Sequence, residues 1–161
     1  MFIQHTLESA PAASRPFMQG PTHEAIALLA ESPEMLGGFL QASKLFESST
    51  LDPLSREVVV MTIAVRNGCQ VCIAMHTGRL RKMTGGPELI TALREGGPLP
   101  DPQREALRQF VEKVLATAGE VPDEEIEEFQ KAGYTTRNAL EVVLGIGTYT
   151  MSTLANRLVR A

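Results

Sequence analysis

The chain has no tryptophan and only two cysteines, Cys69 and Cys72. Two cysteines cannot build the disulfide scaffold that holds many small secreted domains together. Basic residues are also scarce: 15 Lys and Arg against 19 Asp and Glu leave a net charge of −4. That argues against nucleic acid or an anionic membrane as partner, because phosphate contacts need a basic surface. No run approaches the ~18 apolar residues of a membrane span. The stretch Met1 to Met18 lacks the basic start and apolar core of a secretory leader. A cytoplasmic location is expected, where thiols are normally kept reduced. Gly85-Gly86 lacks the Gly-Lys-Ser/Thr ending that a phosphate loop needs. No stretch alternates in the manner of strands bounded by hairpin turns.

What is present reads as helix after helix. With 161 residues, 43% apolar and 21% charged, the chain can bury a core as one globular domain. Residues 1–21 hold Pro11, Pro16 and Pro21 and read as an extended arm that gains order against another surface, such as a neighbouring subunit, or frays. Residues 22–161 read as a single all-helical domain. Thr22 can cap a helix over about 23–31, and Pro33 can open another reaching about Phe46. Asp52-Pro53 and Asp101-Pro102 are paired start signals, Asp capping and Pro at the first helical position. They predict helices to Arg66 and to about Thr117. Further helices are predicted from about Cys69 to Met83, Pro87 to Arg94, Asp123 to Lys131 and Thr135 to Val159. In the last, Leu140, Val143, Leu144, Gly147, Met151, Leu154 and Leu158 follow helical spacing. The expected fold is an all-α bundle of about six to eight helices.

The chemistry concentrates around one predicted hairpin. Val58, Val59, Val60, Met61, Ile63, Ala64 and Val65 make the helix after Pro53 apolar on nearly every face, the mark of a buried helix. Glu57, at the edge of that run, is either a wet polar end or a partnered buried acid. Cys69, Cys72 and His76 stand at i, i+3 and i+7, on one face of the next helix. If Asn67-Gly68 is a tight reversal, the two helices are antiparallel. Glu57 then lies ~15 Å before the turn and His76 ~12 Å after it, at matching heights. A carboxylate that orients an imidazole lets the imidazole take a thiol proton. The helix start further favours the thiolate. A thiolate that attacks peroxide becomes a sulfenic acid, which a second thiol condenses to a disulfide. An external reductant then reopens it.

The spacing Glu57-x11-Cys69-x2-Cys72-x3-His76 resembles the signature of the alkylhydroperoxidase D family, within the carboxymuconolactone decarboxylase-like superfamily of small all-helical proteins. The likeness is strongest from Leu51 to Met83 and looser over 101–117 and the last helix, where Asn156 also fits. It implies a cofactor-free thiol peroxidase for hydrogen peroxide or organic hydroperoxides, with Glu57 and His76 as proton relay, Cys72 attacking and Cys69 resolving. Local physics pulls the other way on the last point, since Cys69 is nearer the helix start. The resemblance also implies a dithiol reductant, lipoyl-bearing or thioredoxin-like, and a homo-oligomer, commonly a trimer or hexamer. One position departs: the best-known members carry histidine just before the second cysteine, and here it is Val71. That departure motivates the alternative of a disulfide reductase or redox-sensing partner with little peroxide turnover. Decarboxylase or lactone chemistry, found elsewhere in the superfamily, generally goes without the CxxC pair.

Blander readings stand beside these. Glu57, Cys69, Cys72 and His76 would make an unusual zinc set, because structural zinc takes four Cys or His ligands. His5 and His23 have no motif around them and read as solvated. Arg79, Arg81 and Lys82 suit a helix carboxyl end, with docking of an acidic carrier as the alternative. Gly145 and Gly147 weaken the last helix by up to ~1 kcal/mol each, and close helix approach would explain them.

Overall fold

In the computed structural model the described residues are 2–20 and 23–161, and these contain eight α-helices and no strand. They are α1 (Glu24–Leu29), α2 (Pro33–Glu47), α3 (Pro53–Arg66), α4 (Gln70–Leu80), α5 (Ile90–Glu95), α6 (Pro102–Thr117), α7 (Asp123–Lys131) and α8 (Thr136–Val159). Short 3-10 turns occupy Arg15–Met18 and Pro87–Leu89. The all-helical expectation holds. Among the described residues no helix is long and apolar enough to cross a membrane.

The start signals act as their chemistry requires. The Asp52 carboxylate accepts from the Leu54 and Ser55 amides, and Asp101 accepts from Arg104, each ahead of a proline at the helix start. Such caps satisfy amides that the helix itself leaves unpaired. Thr135 and Asn138 form a reciprocal capping box on α8. Two predicted boundaries move. The fourth helix ends at Leu80 rather than Met83, and the segment after Pro87 divides into a 3-10 turn and α5, which stops at Gly96 with φ +67°. Thr22 lies outside the described residues; the side chain of His23 caps α1 by accepting from the Ala25 amide.

α3 is the centre of the bundle, packed against α8, α4, α6 and α5. Val58, Val59, Val60, Met61, Ile63 and Ala64 are all within 2% of full burial. Each larger side chain among them contributes ~1.5–3 kcal/mol through its burial. α8 lies alongside α3 at close range because position 145 is glycine. A Cβ there would stand 2.6 Å from Phe46 and 3.0 Å from Val59, so only glycine admits this approach. Gly147 has nothing within 4 Å, and close approach inside the chain does not account for it.

The amino-terminal arm is a correction to the sequence reading. Its described residues, 2–20, fold back on their own chain rather than extend from it. Ala10 and Met18 are buried in a second apolar cluster with Ala27, Leu29, Ala30 and Leu36. The Ser14 hydroxyl donates to the Ala30 carbonyl at the end of α1, and the His5 amide donates to Ala27. His5, expected in solvent, is 8% exposed. Its Nε2 meets Glu31 Oε2 at 2.6 Å and its Nδ1 lies 3.2 Å from the Ser9 carbonyl. The Glu31 contact, the hydrogen bonds to Ala27 and Ala30 and the apolar neighbours hold these residues in place.

Candidate functional site

The site grows from the α3–α4 reversal. Asn67 ends α3, Gly68 turns the chain at φ +65°, and the Cys69 amide donates back to the Ala64 carbonyl. A left-handed residue at this point favours glycine. Cys69 is thereby set as the N-cap of α4, with Cys72 in its first turn. The two are joined by a disulfide, their Cα atoms 5.3 Å apart. Both sit at the positive end of the helix dipole, where a thiolate is favoured.

His76 follows on the same face, and the antiparallel hairpin brings it to Glu57. His76 Nδ1 and Glu57 Oε2 are 2.7 Å apart, with both residues buried. Of the two readings of Glu57, the partnered buried acid is the one observed. The carboxylate has a second partner: Arg79 Nη1 lies 3.7 Å from Glu57 Oε1 and 3.4 Å from Glu47. Arg79 is half-exposed, so it links the buried pair to the surface and supplies countercharge to the acid. In the sequence Arg79 groups with Arg81 and Lys82 as a basic cluster at a helix carboxyl end. Its position three residues after His76, on the same helical face, was the available signal.

α8 completes the site with side chains from 73 or more residues further along the chain. The Tyr149 ring meets His76 edge-on with centroids 5.6 Å apart, and its hydroxyl pairs with Ser43 at 3.3 Å. Burial pushes the Tyr149 phenol upward despite the Ser43 hydrogen bond, so it stays protonated. Asn156 Nδ2 donates to Cys72 Sγ at 3.3 Å. Tyr149 carried no signal in the sequence, because its partners are remote in the chain.

Cys72, His76, Tyr149 and Asn156 line one cavity of about 170 Å³ between α1, α2, α4 and α8, with Phe39 and Leu40 on its apolar wall. Cys69, 1% exposed, is not among its lining residues. Arg79 and Tyr149 separate this cavity from a wider cleft that reaches Glu57 and carries Arg56 and Lys82. Among the described residues no group of three His, Cys, Asp or Glu is arranged to hold a metal ion. Val71 is half-buried and packed against the main core, and it has no proton to give.

Comparison with known proteins identifies the family and the fold. The model of the carboxymuconolactone decarboxylase family matches residues 30–112. An uncharacterized protein of Bacillus subtilis strain 168, YdfG, is 28% identical over 96 residues, 58% of this chain. The chain spans 65% of the length of that relative. Two solved structures share the fold. A peroxidase-related protein from Ralstonia eutropha JMP134, described as an alkylhydroperoxidase AhpD core, superposes with a TM-score of 0.85 at 19% identity, over 98% of this chain and 88% of its own. A peroxidase-related protein from Silicibacter sp. TM1040 gives 0.72 at 21% identity, over 83% and 72%.

Proposed function

The chain belongs to the carboxymuconolactone decarboxylase family, and we propose that within it this protein is a thiol-dependent peroxidase for hydrogen peroxide or organic hydroperoxides. The observation that carries the reading is the joining of a Cys69–Cys72 disulfide and a buried Glu57–His76 pair on one hairpin, with Cys72 and His76 facing the same cavity.

In the reduced protein the Cys72 thiolate attacks the terminal oxygen of the hydroperoxide. The O–O bond breaks, its electron pair leaves on the alkoxide, and His76, held by Glu57, supplies the proton. Cys72 is then a sulfenic acid and the product an alcohol, or water from hydrogen peroxide. The Cys69 thiol attacks that sulfur, water leaves, and the disulfide closes. Two electrons have passed from two thiols to one peroxide. A dithiol protein of lipoyl-bearing or thioredoxin-like type reopens the bond by exchange, in a reducing compartment such as the cytoplasm. Cys72 takes the attacking role because the cavity reaches its side chain and not that of Cys69. Residues 22–161 act as one catalytic domain, with the arm folded against one side.

Self-association is part of the proposal. Leu140, Val143, Leu144, Leu154 and Leu158 form an exposed apolar face on α8, and no charged residue stands between Glu141 and Arg157. A charge-free face of this kind suits contact with further copies of the chain better than contact with water.

The test is peroxide consumption by the reduced protein with a dithiol reductant. Cys72→Ser should abolish turnover, and pre-reduced Cys69→Ser, with the reductant removed, should reduce one peroxide per chain and stop at the Cys72 sulfenic acid. Reduction of a model disulfide without peroxide consumption above background would select the reductase reading that Val71 motivates.

A further inference from the structure

One polar side chain in the cavity has no part in the mechanism above. Asn156 is 7% exposed and lines the cavity with Cys72 and His76. Its Nδ2 is committed to Cys72 Sγ, but its Oδ1 is buried with no hydrogen-bond partner. A disulfide sulfur carries no proton, so only the amide N–H can face it, and this fixes which end of Asn156 is which. An enclosed carbonyl oxygen without a donor is a standing penalty that a ligand with an O–H can remove. The remaining wall beside it is apolar, with Ile26, Leu29, Phe39 and Leu40.

We propose that Asn156 is a substrate-positioning residue: its Oδ1 accepts the terminal O–H of the hydroperoxide while its Nδ2 holds Cys72 Sγ. The inference rests on the peroxidase reading. The two amide atoms are about 2.2 Å apart by covalent geometry, and the sulfur is 3.3 Å from one of them. A terminal oxygen bonded to Oδ1 on the side facing the sulfur can approach it to about 3–3.5 Å, the separation of reacting atoms in a near-attack arrangement. The terminal oxygen is the one the thiolate must strike for the O–O bond to break toward the leaving alkoxide. Its O–H points away from the sulfur, to Oδ1, and the organic group runs along the apolar wall. The same Nδ2–H then stabilises first the thiolate and afterwards the sulfenic sulfur.

The experiment uses the full-length, pre-reduced Asn156→Leu variant, with Asn156→Ala in reserve should leucine not fold. Stopped-flow oxidation by tert-butyl hydroperoxide is compared with iodoacetamide alkylation of the same thiol, both across pH. Alkylation reports thiolate formation alone and needs no oriented O–H. The expected result is a loss of about 10- to 100-fold in the oxidation rate that persists at pH values where alkylation shows the thiolate fully formed. Reopening of the disulfide by dithiothreitol should change less than threefold. A defect confined to pH values where the thiolate is incomplete would show that Asn156 tunes only the thiol, and would overturn the proposal. So would an unchanged oxidation rate. If the wild-type thiols themselves ignore the peroxide, the peroxidase reading fails first and the positioning role with it.

Discussion

α3 and α8 flank the site from distant parts of the sequence, and they divide polar and apolar residues in opposite ways. α3 buries an almost wholly apolar run around one acid, Glu57. α8 turns Asn138, Glu141, Thr148, Ser152, Thr153 and Asn156 toward the protein, while its leucines face outward. Burial of α3 is satisfied within the chain. For α8, the inward polar groups are matched by specific partners: Glu141 receives the Thr50 amide and hydroxyl, and Asn156 meets Cys72. Its outward stripe is left exposed among the described residues. The contrast teaches that apolar periodicity locates a contact surface but does not say whether the contact lies inside the same chain.

The largest effect should fall on chemistry. Glu57→Gln keeps the shape of the α3 side chain but removes the charge facing His76 and Arg79. It should slow peroxide reduction by about 100-fold in steady-state assays, with alkylation of the cysteines far less affected. On α8, the two glycines should respond with opposite signs. Gly145→Ala forces a methyl against Phe46 and Val59 and should cost about 1–3 kcal/mol in denaturant unfolding. Gly147→Ala meets open space and should add up to about 1 kcal/mol through helix propensity. The second measurement belongs in a Leu154→Asp background, so that assembly does not intervene.

Leu154→Asp itself sharpens the comparison. A charge in the middle of the outward stripe should shift sedimentation to a smaller species while leaving catalysis of the dissociated chain intact. An unchanged sedimentation coefficient would contradict the contact assigned to α8.

The smallest effect is shared by both helices. Burial raises the Asp52 carboxyl, but hydrogen bonds from Ser55 and the nearby Arg104 more than offset this, and it titrates below the usual range. Glu141 behaves alike, with burial outweighed by the Thr50, Asn138 and Arg137 hydrogen bonds. Carboxyls depressed on folding add stability that is complete above their ordinary values of about 4 and is lost as pH falls through the depressed ones. Melting temperature should therefore fall with pH below about 4. Asp52→Asn and Glu141→Gln should each flatten that fall.

Much of the fold was legible because its signals are local. Asp-Pro caps, the Asn67-Gly68 reversal and the acidic start of α7 act within a few residues, and each element they mark is found. Glu57, Cys69, Cys72 and His76 were legible as a group because two helices joined by a tight turn convert spacing directly into height. Tyr149 and the role of Arg79 were not, because their significance arises from packing between distant segments. The fold of the arm escaped for the same reason. Its His5 and Ser14 find partners in Glu31 and Ala30, contacts that no local pattern announces.

The central claim is that Cys69 and Cys72 pass two electrons to a peroxide as one unit. Mass spectrometry of the fully reduced protein after one equivalent of hydroperoxide tests it most directly. The predicted product is a chain lighter by two hydrogen atoms, with a Cys69–Cys72 bond in the peptide map and one equivalent of alcohol formed. Free thiols beside unconsumed peroxide would contradict it.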